Sequence, residues 1–273
     1  MEKFVDIEKL IEEKNPKLAK WLPGFVVRYL KRTIHEDETN AFMAKTQDYD
    51  TYEFVAEVID YLKIKVNIKG LENIPKEEGA ILVANHPLGG MDAISILHEI
   101  KHLRTDVKFI VNDILLHLKN LESIFVGVNK HGVNTKESLR AVDELFATNN
   151  LVFLFPAGLV SRKSKGKIED LEWKKTFVTR ARKYSKDVIP IYIEGSLGNF
   201  FYRLSNFRSK IGIKANIEML YLVDELYKQR NKTIDIIIGD RIPASTFDRS
   251  KKDIEWAAWT KEKAYALKNK NIG

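Results

Sequence analysis

A histidine and an aspartate, His86 and Asp92, stand close together in the stretch ANHPLGGMD, which runs from residue 84 to 92. Acyl transfer to a hydroxyl or an amine needs a base beside the attacking atom, and histidine suits that role near neutral pH. A carboxylate on the other ring nitrogen fixes the imidazole tautomer and stabilises the imidazolium that forms. Since no serine or cysteine stands in a nucleophile-elbow context, the pattern predicts a dyad that promotes direct attack by an acceptor on an acyl thioester.

The neighbouring residues place this stretch in a loop between a strand and a helix. The apolar run Ala80–Val83 reads as a buried strand, and Ala93–Leu97 reads as the start of a helix. Ligands usually bind at the carboxyl ends of strands in an α/β sheet. The double glycine of the stretch allows the close backbone approach that brings the two side chains together. Structural roles stay open, since Asp92 can cap the helix and His86 can be a hydrogen-bonded histidine at a strand end.

The composition of the 273-residue chain is that of a globular protein, with 44% hydrophobic and 30% charged residues. The formal net charge of +7 biases the surface toward anionic partners such as nucleic acid, acidic lipid headgroups or an acidic carrier protein. With no cysteine, the chain has no disulfide, no thiol nucleophile and no cysteine-bound metal. The first residues lack a secretory-signal pattern, and no apolar run approaches the roughly 18 residues of a spanning helix. We therefore expect a cytoplasmic protein that can lie on a membrane.

Residues 1–62 are predicted to form a helical N-terminal region, with helices at 5–11, 18–34 and 52–62. From Leu18 to Ile34, aromatic and aliphatic residues alternate with basic ones, which is typical of a helix in a bilayer interface. A helix packed on the core with a solvated basic face is the alternative. The C-terminal helix, Asp253 to Lys268, carries Trp256 and Trp259 and is a second interfacial candidate.

Residues 63–273 alternate between strand and helix patterns, which predicts an α/β domain with a mixed, largely parallel sheet flanked by helices. The strand patterns lie at 65–69, 80–84, 107–111, 123–128, 151–155, 188–193 and 233–238, and helix patterns fall at 135–147 and 173–184.

The stretch from Asn85 to Asp92 resembles the His-and-Asp block of the glycerolipid acyltransferases, the lysophosphatidic acid acyltransferase superfamily. It is most similar to a bacterial, hemolysin-like branch that reads Asn-His-Pro-Leu-Gly-Gly-x-Asp. We call this stretch block one. Three more stretches follow in the family's order: block two is Ser123–Asn129, block three is Phe155–Arg162 and block four is Val188–Gly195. Four ordered blocks between about residues 65 and 200 are far more specific than one histidine and one aspartate.

The resemblance implies a membrane-associated O-acyltransferase in which His86 is the general base and Asp92 orients it. An acyl chain would pass from acyl carrier protein or coenzyme A to a lipid-like acceptor, with no permanently bound cofactor and no metal. Two features depart from the family pattern. Five residues separate His86 from Asp92 where most members have four, and block three has Ala157 and Val160 in place of Glu and Arg. Those charges belong to the acceptor site of enzymes that act on glycerol phosphates, so their loss argues against a phosphate-bearing acceptor.

Polar and basic residues around block three are candidates for holding the acceptor's headgroup. Arg162 leads because it aligns with a family arginine, and a forked guanidinium suits a carboxylate or a phosphate. Lys163 and Lys165 are its neighbours, and the alternative is a solvated basic loop over residues 161–167. The predicted substrate-binding residues are Asn85, Gly89, Gly90, Lys130, Phe155, Pro156, Gly158, Ser161, Arg162 and Lys163, with His131 beside Lys130.

The acceptor is left open between two lipids. An N-(3-hydroxyacyl) amino acid, to which relatives of this branch add a second chain, offers a carboxylate headgroup and a hydroxyl; lysophosphatidic acid is the runner-up. A lipid-binding module without chemistry would not need the pair of His86 and Asp92. A nucleic-acid binder would use the positive charge, but no basic stripe with stacking aromatics is present, so no nucleic-acid partner is expected.

These expectations define a site. His86 and Asp92 should lie within hydrogen-bond reach, and an apolar groove should run from them toward the N-terminal region. Residues 162–165 should face the polar end of that groove. The expected partners are the acyl donor, the lipid acceptor and the anionic inner face of the cell membrane.

Overall fold

A computed structural model describes residues 3–14, 16, 21–112, 118–128, 136–214 and 216–269. The chain divides into two compact units. The larger one comprises residues 50–196 and 231–273, and the smaller one comprises residues 1–49 and 197–230.

A seven-stranded sheet forms the centre of the larger unit, and the predicted strands are confirmed. Its strands are β1 Lys65–Lys69, β2 Ala80–Ala84, β3 Val107–Asn112, β4 Phe125–Val128, β5 Leu151–Leu154, β8 Asp187–Ile193 and β9 Thr233–Ile238, and a separate hairpin contributes β6 Arg162–Ser164 and β7 Lys167–Glu169. The order across the sheet is β1-β9-β8-β2-β5-β3-β4. All the neighbouring pairs are parallel except β8 with β9. The predicted mixed, largely parallel α/β sheet is therefore confirmed.

The central strand β2 is buried along its whole length, between β8 and β5. Parallel strands covered on both faces read as continuous apolar runs, which explains the unbroken apolar sequence of Ala80–Ala84. Helices of the larger unit are α4 Thr51–Tyr61, α5 Gly90–Ile100, α6 Lys136–Leu145, α7 Thr176–Tyr184 and α10 Asp253–Ala266. Helix α4 packs against α5 in this unit, whereas the sequence placed it in a region ending at residue 62.

Helix α10 belongs to the core. Its Trp256 and Ala257 are buried in an apolar cluster with Ile81 and Val83 of β2 and with Phe177 of α7. The prediction of a second interfacial helix at the C-terminus is therefore wrong, because the apolar face of α10 is covered by the protein's own sheet and by α7.

The smaller unit is helical, with α1 Ile7–Lys14, α2 Gly24–Thr33, α3 Glu36–Lys45, α8 Asn199–Lys210 and α9 Leu222–Tyr227. Buried carboxylates hold its segments together. Glu36 accepts hydrogen bonds from the Lys3 ammonium and the Ile7 N–H, and Glu218 forms a bidentate pair with Arg208.

Among the residues that the structure describes, no helix has both the length and the apolar character needed to cross a bilayer.

Candidate active site

Three of the four sequence blocks meet at one edge of the sheet. Block one follows β2, block three follows β5 and block four ends just beyond β8, and these three strands are neighbours in the sheet. Because the three strands are parallel, their carboxyl ends lie along the same edge. Block two overlaps β4 at the far side of the sheet, and its last residue, Asn129, lies outside the described part of the chain together with Lys130 and His131.

His86 and Asp92 form a hydrogen-bonded pair, with His86 Nδ1 at 2.8 Å from Asp92 Oδ2. The carboxylate of Asp92 is completely buried, whereas 18% of the His86 side chain is exposed. The N–H of Leu88 also donates to both carboxylate oxygens, at 3.2 and 3.0 Å. Since Asp92 occupies Nδ1, the other ring nitrogen, Nε2, is left to face a reactant. The expectation that the two side chains lie within hydrogen-bond reach is met by this geometry.

Helix α5 holds the aspartate in place. The residue that caps this helix is Gly89, with φ 70° and ψ −130°, so Asp92 lies within the first turn and is not the helix cap. A side chain other than glycine is strained in that backbone conformation, which accounts for the glycine at this position. The sharp turn at Gly89 returns the chain so that Asp92 reaches Nδ1 of His86.

Burial raises the pKa of the Asp92 carboxyl above its ordinary value, and the nearby charge of Asp170 acts in the same direction. The hydrogen bonds from His86 and from the Leu88 N–H oppose this rise. A carboxylate with a raised pKa binds a proton more tightly than an exposed one. Asp92 is therefore a strong acceptor for the Nδ1–H of His86 and a strong counter-charge for an imidazolium.

Block three supports the histidine from two sides. The ring of Phe155 stacks on the imidazole, with 4.0 Å between the ring centres and 18° between the planes. The N–H of Ser161 donates to the carbonyl oxygen of His86 at 2.8 Å. The ring and the backbone of His86 are thus both held by residues that follow β5.

Asn85 joins block one to block four. Its side-chain nitrogen donates to the carbonyl oxygen of Ile193 at 2.8 Å, and its side-chain oxygen accepts from the Ile193 N–H at 2.7 Å. The amide therefore pairs with the end of β8 as a peptide group would. Beside it, Leu88 packs so closely on Gly195 that a Cβ at that glycine would stand 2.6 Å from Leu88 Cδ2. Asn85, a predicted substrate-binding residue, is buried with both ends of its amide engaged in this way.

The residues of block three that were predicted to bind the headgroup differ from one another in burial and in hydrogen bonding. Ser161 is buried and its hydroxyl donates to the Asp170 carboxylate at 2.6 Å. Arg162 donates from Nη1 to the carbonyl oxygen of Val160 at 3.0 Å, and Arg162 and Lys163 lie on β6. The segment that the alternative interpretation gave as a solvated loop, residues 161–167, lies in a β-hairpin, which turns at Lys165 and Gly166, with φ 48° and 82°.

The turn of block three exposes one glycine. Pro156 and Ala157 are buried, whereas Gly158 is partly exposed and has a positive φ of 68°. The ammonium of Lys174 stands 3.1 Å from the place that a Cβ of Gly158 would take. Lys174, which the sequence did not single out, is thus a cation beside this turn.

Asp170 is a second residue that sequence reasoning missed. It is buried, and its Oδ1 accepts hydrogen bonds from the His86 N–H at 3.1 Å and from the Ser161 hydroxyl. Its Oδ2 accepts from the indole N–H of Trp173 at 2.8 Å. In the sequence Asp170 is one of two adjacent acidic residues after a basic stretch, so its type and surroundings gave no signal of contact with His86.

The model of the acyltransferase family matches residues 9–272 of the chain. A lyso-glycine lipid O-acyltransferase of Phocaeicola vulgatus is 42% identical over 265 residues, which cover 97% of this chain and 95% of that protein. The enzyme of the same description from Bacteroides thetaiotaomicron is 41% identical, and the match covers 97% of both chains. A 1-acyl-sn-glycerol-3-phosphate acyltransferase of Borreliella burgdorferi is 23% identical over 189 residues, covering 66% of this chain and 70% of that enzyme.

Proposed function

This chain belongs to the acyltransferase family, and on that premise we propose that it transfers a fatty acyl group from a thioester to the hydroxyl of a lysolipid by general-base catalysis. The observation that carries this proposal is the hydrogen-bonded pair of the partly exposed His86 and the buried Asp92 at the shared carboxyl edge of β8, β2 and β5. The pair holds one imidazole nitrogen in hydrogen-bond contact and leaves the other for a proton transfer.

The proposed reaction needs one proton to move twice. The acceptor hydroxyl attacks the thioester carbonyl carbon, and its proton passes to Nε2 of His86 as the new C–O bond forms. Asp92 stabilises the resulting imidazolium through Nδ1–H. The tetrahedral intermediate then expels the thiolate, and the imidazolium returns the proton to the sulfur. The products are an ester and a free thiol, and His86 is neutral again.

We propose an N-(3-hydroxyacyl)glycine as the acceptor, with lysophosphatidic acid as the runner-up. The two lyso-glycine lipid O-acyltransferases at 42% and 41% identity support this choice. Block three supports it as well, because Ala157 and Val160 are buried and bring no charge for a phosphate. Arg162 and Lys163 on the hairpin, and Lys174 beside Gly158, are the proposed cations for the carboxylate headgroup. Phe155, Pro156, Gly89 and Gly90 would shape the pocket for the reacting groups.

A competition assay decides between the acceptors. The purified enzyme is given equal concentrations of N-(3-hydroxypalmitoyl)glycine and lysophosphatidic acid, with palmitoyl acyl carrier protein or palmitoyl coenzyme A as donor. We expect the diacylated glycine lipid to exceed phosphatidic acid at least tenfold by mass spectrometry, because a site without the block-three charges leaves a phosphate poorly paired. A product ratio in favour of phosphatidic acid would reverse the assignment, and the two donors compared in parallel identify the thioester used.

We also propose that the enzyme works on the anionic inner face of the cell membrane as a peripheral protein. Of the twelve large apolar side chains that are exposed in the described residues, all but Leu171 belong to the smaller unit. An aromatic row links α2 and α8 there: Tyr29 Oη lies 2.9 Å from Tyr221 Oη, and the ring of Tyr221 packs on Phe200 at 4.9 Å. Phe25 and Phe207, 65% and 61% exposed, lie on the same two helices. Exposed basic residues accompany the row, namely Arg28, Arg32, Arg203, Lys210 and Lys214.

Such a surface binds anionic bilayers through apolar insertion and charge attraction together. The double variant Phe25→Ser/Phe207→Ser is expected to bind vesicles that contain phosphatidylglycerol about 10–100-fold more weakly, because two aromatic side chains no longer insert. Co-sedimentation measures this effect, and high salt should weaken wild-type binding. The matched control is Leu171→Ser, which changes an exposed apolar residue of the larger unit. Equal binding of the double variant and this control would show that Phe25 and Phe207 do not insert into the membrane.

A further inference from the structure

The buried carboxylate of Asp170 contacts the catalytic histidine at its backbone. Asp170 directly follows the hairpin strand β7 and is 5% exposed. Its Oδ1 receives the N–H of His86 and the hydroxyl of Ser161, while the N–H of Ser161 donates to the carbonyl oxygen of His86. These bonds close a ring between block one and the start of the hairpin. Both backbone polar groups of His86 are thereby fixed.

This ring of hydrogen bonds is anchored to the core. The indole N–H of Trp173, which is buried, donates to Asp170 Oδ2. The N–H of Asp170 donates to Tyr265 Oη at 2.7 Å, and Lys261 Nζ donates to the carbonyl oxygen of Asp170 at 2.6 Å. Tyr265 and Lys261 both lie on α10, so Asp170 connects the histidine loop to a helix of the core.

The charge of Asp170 acts on the catalytic pair as well. Burial is the main cause that raises the pKa of the Asp92 carboxyl, and the negative charge of Asp170 adds to this rise, so the pair of His86 and Asp92 holds a proton more tightly. Among the described residues, the ammonium of Lys261 contacts the carbonyl oxygen of Asp170 and the phenol of Tyr265 contacts its N–H, while the carboxylate of Glu169 precedes it in the chain. The pair of His86 and Asp92 thus has a buried negative charge on the backbone side of the histidine, in addition to Asp92 itself.

We propose that Asp170 is a positioning residue for acyl transfer, which fixes the backbone of His86 against the Ser161 loop and electrostatically supports the proton that the His86–Asp92 pair takes up. This inference rests on the proposed function of His86 as the general base. It adds a residue that contacts no reacting atom and acts through His86 and Ser161.

Asp170→Asn tests the proposal. The oxygen of the amide can still accept from His86 and Ser161, but the charge is lost and the amide nitrogen faces the indole N–H of Trp173. We expect kcat to fall about 10–100-fold, because small displacements of a base are costly, with each KM within about twofold of wild type. Since a nearby negative charge favours the protonated pair, the acid limb of the pH–rate profile should move to lower pH by roughly half to one unit.

A second variant separates charge from misfolding. In Asp170→Asn/Trp173→Phe the indole donor is absent, so the two facing donors no longer repel each other. We expect this variant to recover thermal stability relative to Asp170→Asn while the acid limb remains shifted. The carboxylate control is Asp143→Asn, at a residue that contacts Lys183, Tyr184 and Arg180, and its acid limb should coincide with that of wild type.

Four results would count against the inference. One is a raised KM with unchanged kcat, which would make Asp170 a binding residue. Another is an acid limb at the wild-type pH in both Asp170 variants, which would leave only a structural role. If neither variant folds, Lys261→Met is the deciding variant. Removing this cation should move the acid limb of the pH–rate profile to higher pH by a few tenths of a unit, and an unmoved acid limb refutes the electrostatic part of the proposal. Transfer above one tenth of the wild-type rate in His86→Ala refutes the proposed general-base mechanism, whereas wild-type kinetics of Asp170→Asn refute this inference alone.

Discussion

Replacing His86 with alanine is expected to reduce acyl transfer about 10²–10⁴-fold, the range in which a positioned general base contributes. The reason is that the acceptor hydroxyl then has no base on the Nε2 side, while Asp92 remains buried behind the missing ring. The assay follows transfer of a radiolabelled acyl chain to the lipid acceptor at saturating donor. KM for the donor should change little, because the lost interaction is made mainly in the transition state.

Two further variants make this result specific. His86→Asn keeps a side-chain N–H at about the position of Nδ1, which can reach Asp92, but offers no base, and we expect it to be as inactive as His86→Ala. His98→Ala removes another partly exposed histidine on α5, which pairs with Glu99, and wild-type rates are expected. If His86→Ala retained transfer above one tenth of the wild-type rate, general-base catalysis by this histidine would be wrong.

Asp92→Asn is expected to lower kcat roughly 10³–10⁴-fold while leaving the protein folded. With the amide nitrogen toward His86, Nδ1 must accept, so the ring carries its proton on Nε2 and cannot act as a base. With the amide oxygen toward His86, the tautomer is kept but the imidazolium has lost its counter-charge. Either orientation of the amide removes the function of the carboxylate.

The same substitution is expected to have the opposite effect on stability. Because burial raises the pKa of Asp92, the folded state binds its proton more tightly than the unfolded chain does. Wild-type stability therefore loses a contribution as the pH rises from the unfolded carboxyl's pKa of about 3.9 through the raised folded value. The Asp92→Asn variant has no such loss, so its free energy of unfolding relative to wild type should increase between pH 4 and pH 7.

Urea unfolding at the two pH values measures this difference. Carboxyls whose pKa is lowered by ion pairs, such as Asp106 beside Arg104, are present in both proteins. Their contributions to the pH dependence of stability therefore cancel in the comparison. A variant that is less stable than wild type by the same amount at both pH values would contradict the raised pKa. If the Asp92→Asn variant is inactive but at least as stable as wild type at pH 7, Asp92 is kept for chemistry at a cost in stability.

The pair of His86 and Asp92 could be read from the sequence because its geometry is local. The turn at Gly89 and the first turn of α5 set the distance between the two side chains, and both are short-range features of one stretch. The strands were readable for a similar reason. A buried parallel strand such as β2 must be continuously apolar, so a run of consecutive apolar residues predicts its burial.

The surroundings of the pair could not be read in this way. Asn85 binds Ile193 across 108 positions and His86 binds Asp170 across 84, and only the order of strands in the sheet brings these residues together. An asparagine at a strand end has the same local sequence whether its amide meets a substrate or a neighbouring strand. The hairpin after Ser161 was missed because its paired residues are basic and polar and lack the apolar alternation that marks strands.

Periodicity, glycine conformation and residue type are local properties, so the α/β class and the proximity of His86 to Asp92 could be inferred from the chain alone. The tertiary structure decided which apolar faces are covered. Trp256 packs in the core, whereas Phe25 and Phe207 are exposed, although each lies on a helix that also carries basic residues. Burial against a protein core and insertion into a bilayer both remove apolar surface from water, so the amphipathic pattern is the same for both. Only the position of the neighbouring elements distinguishes them.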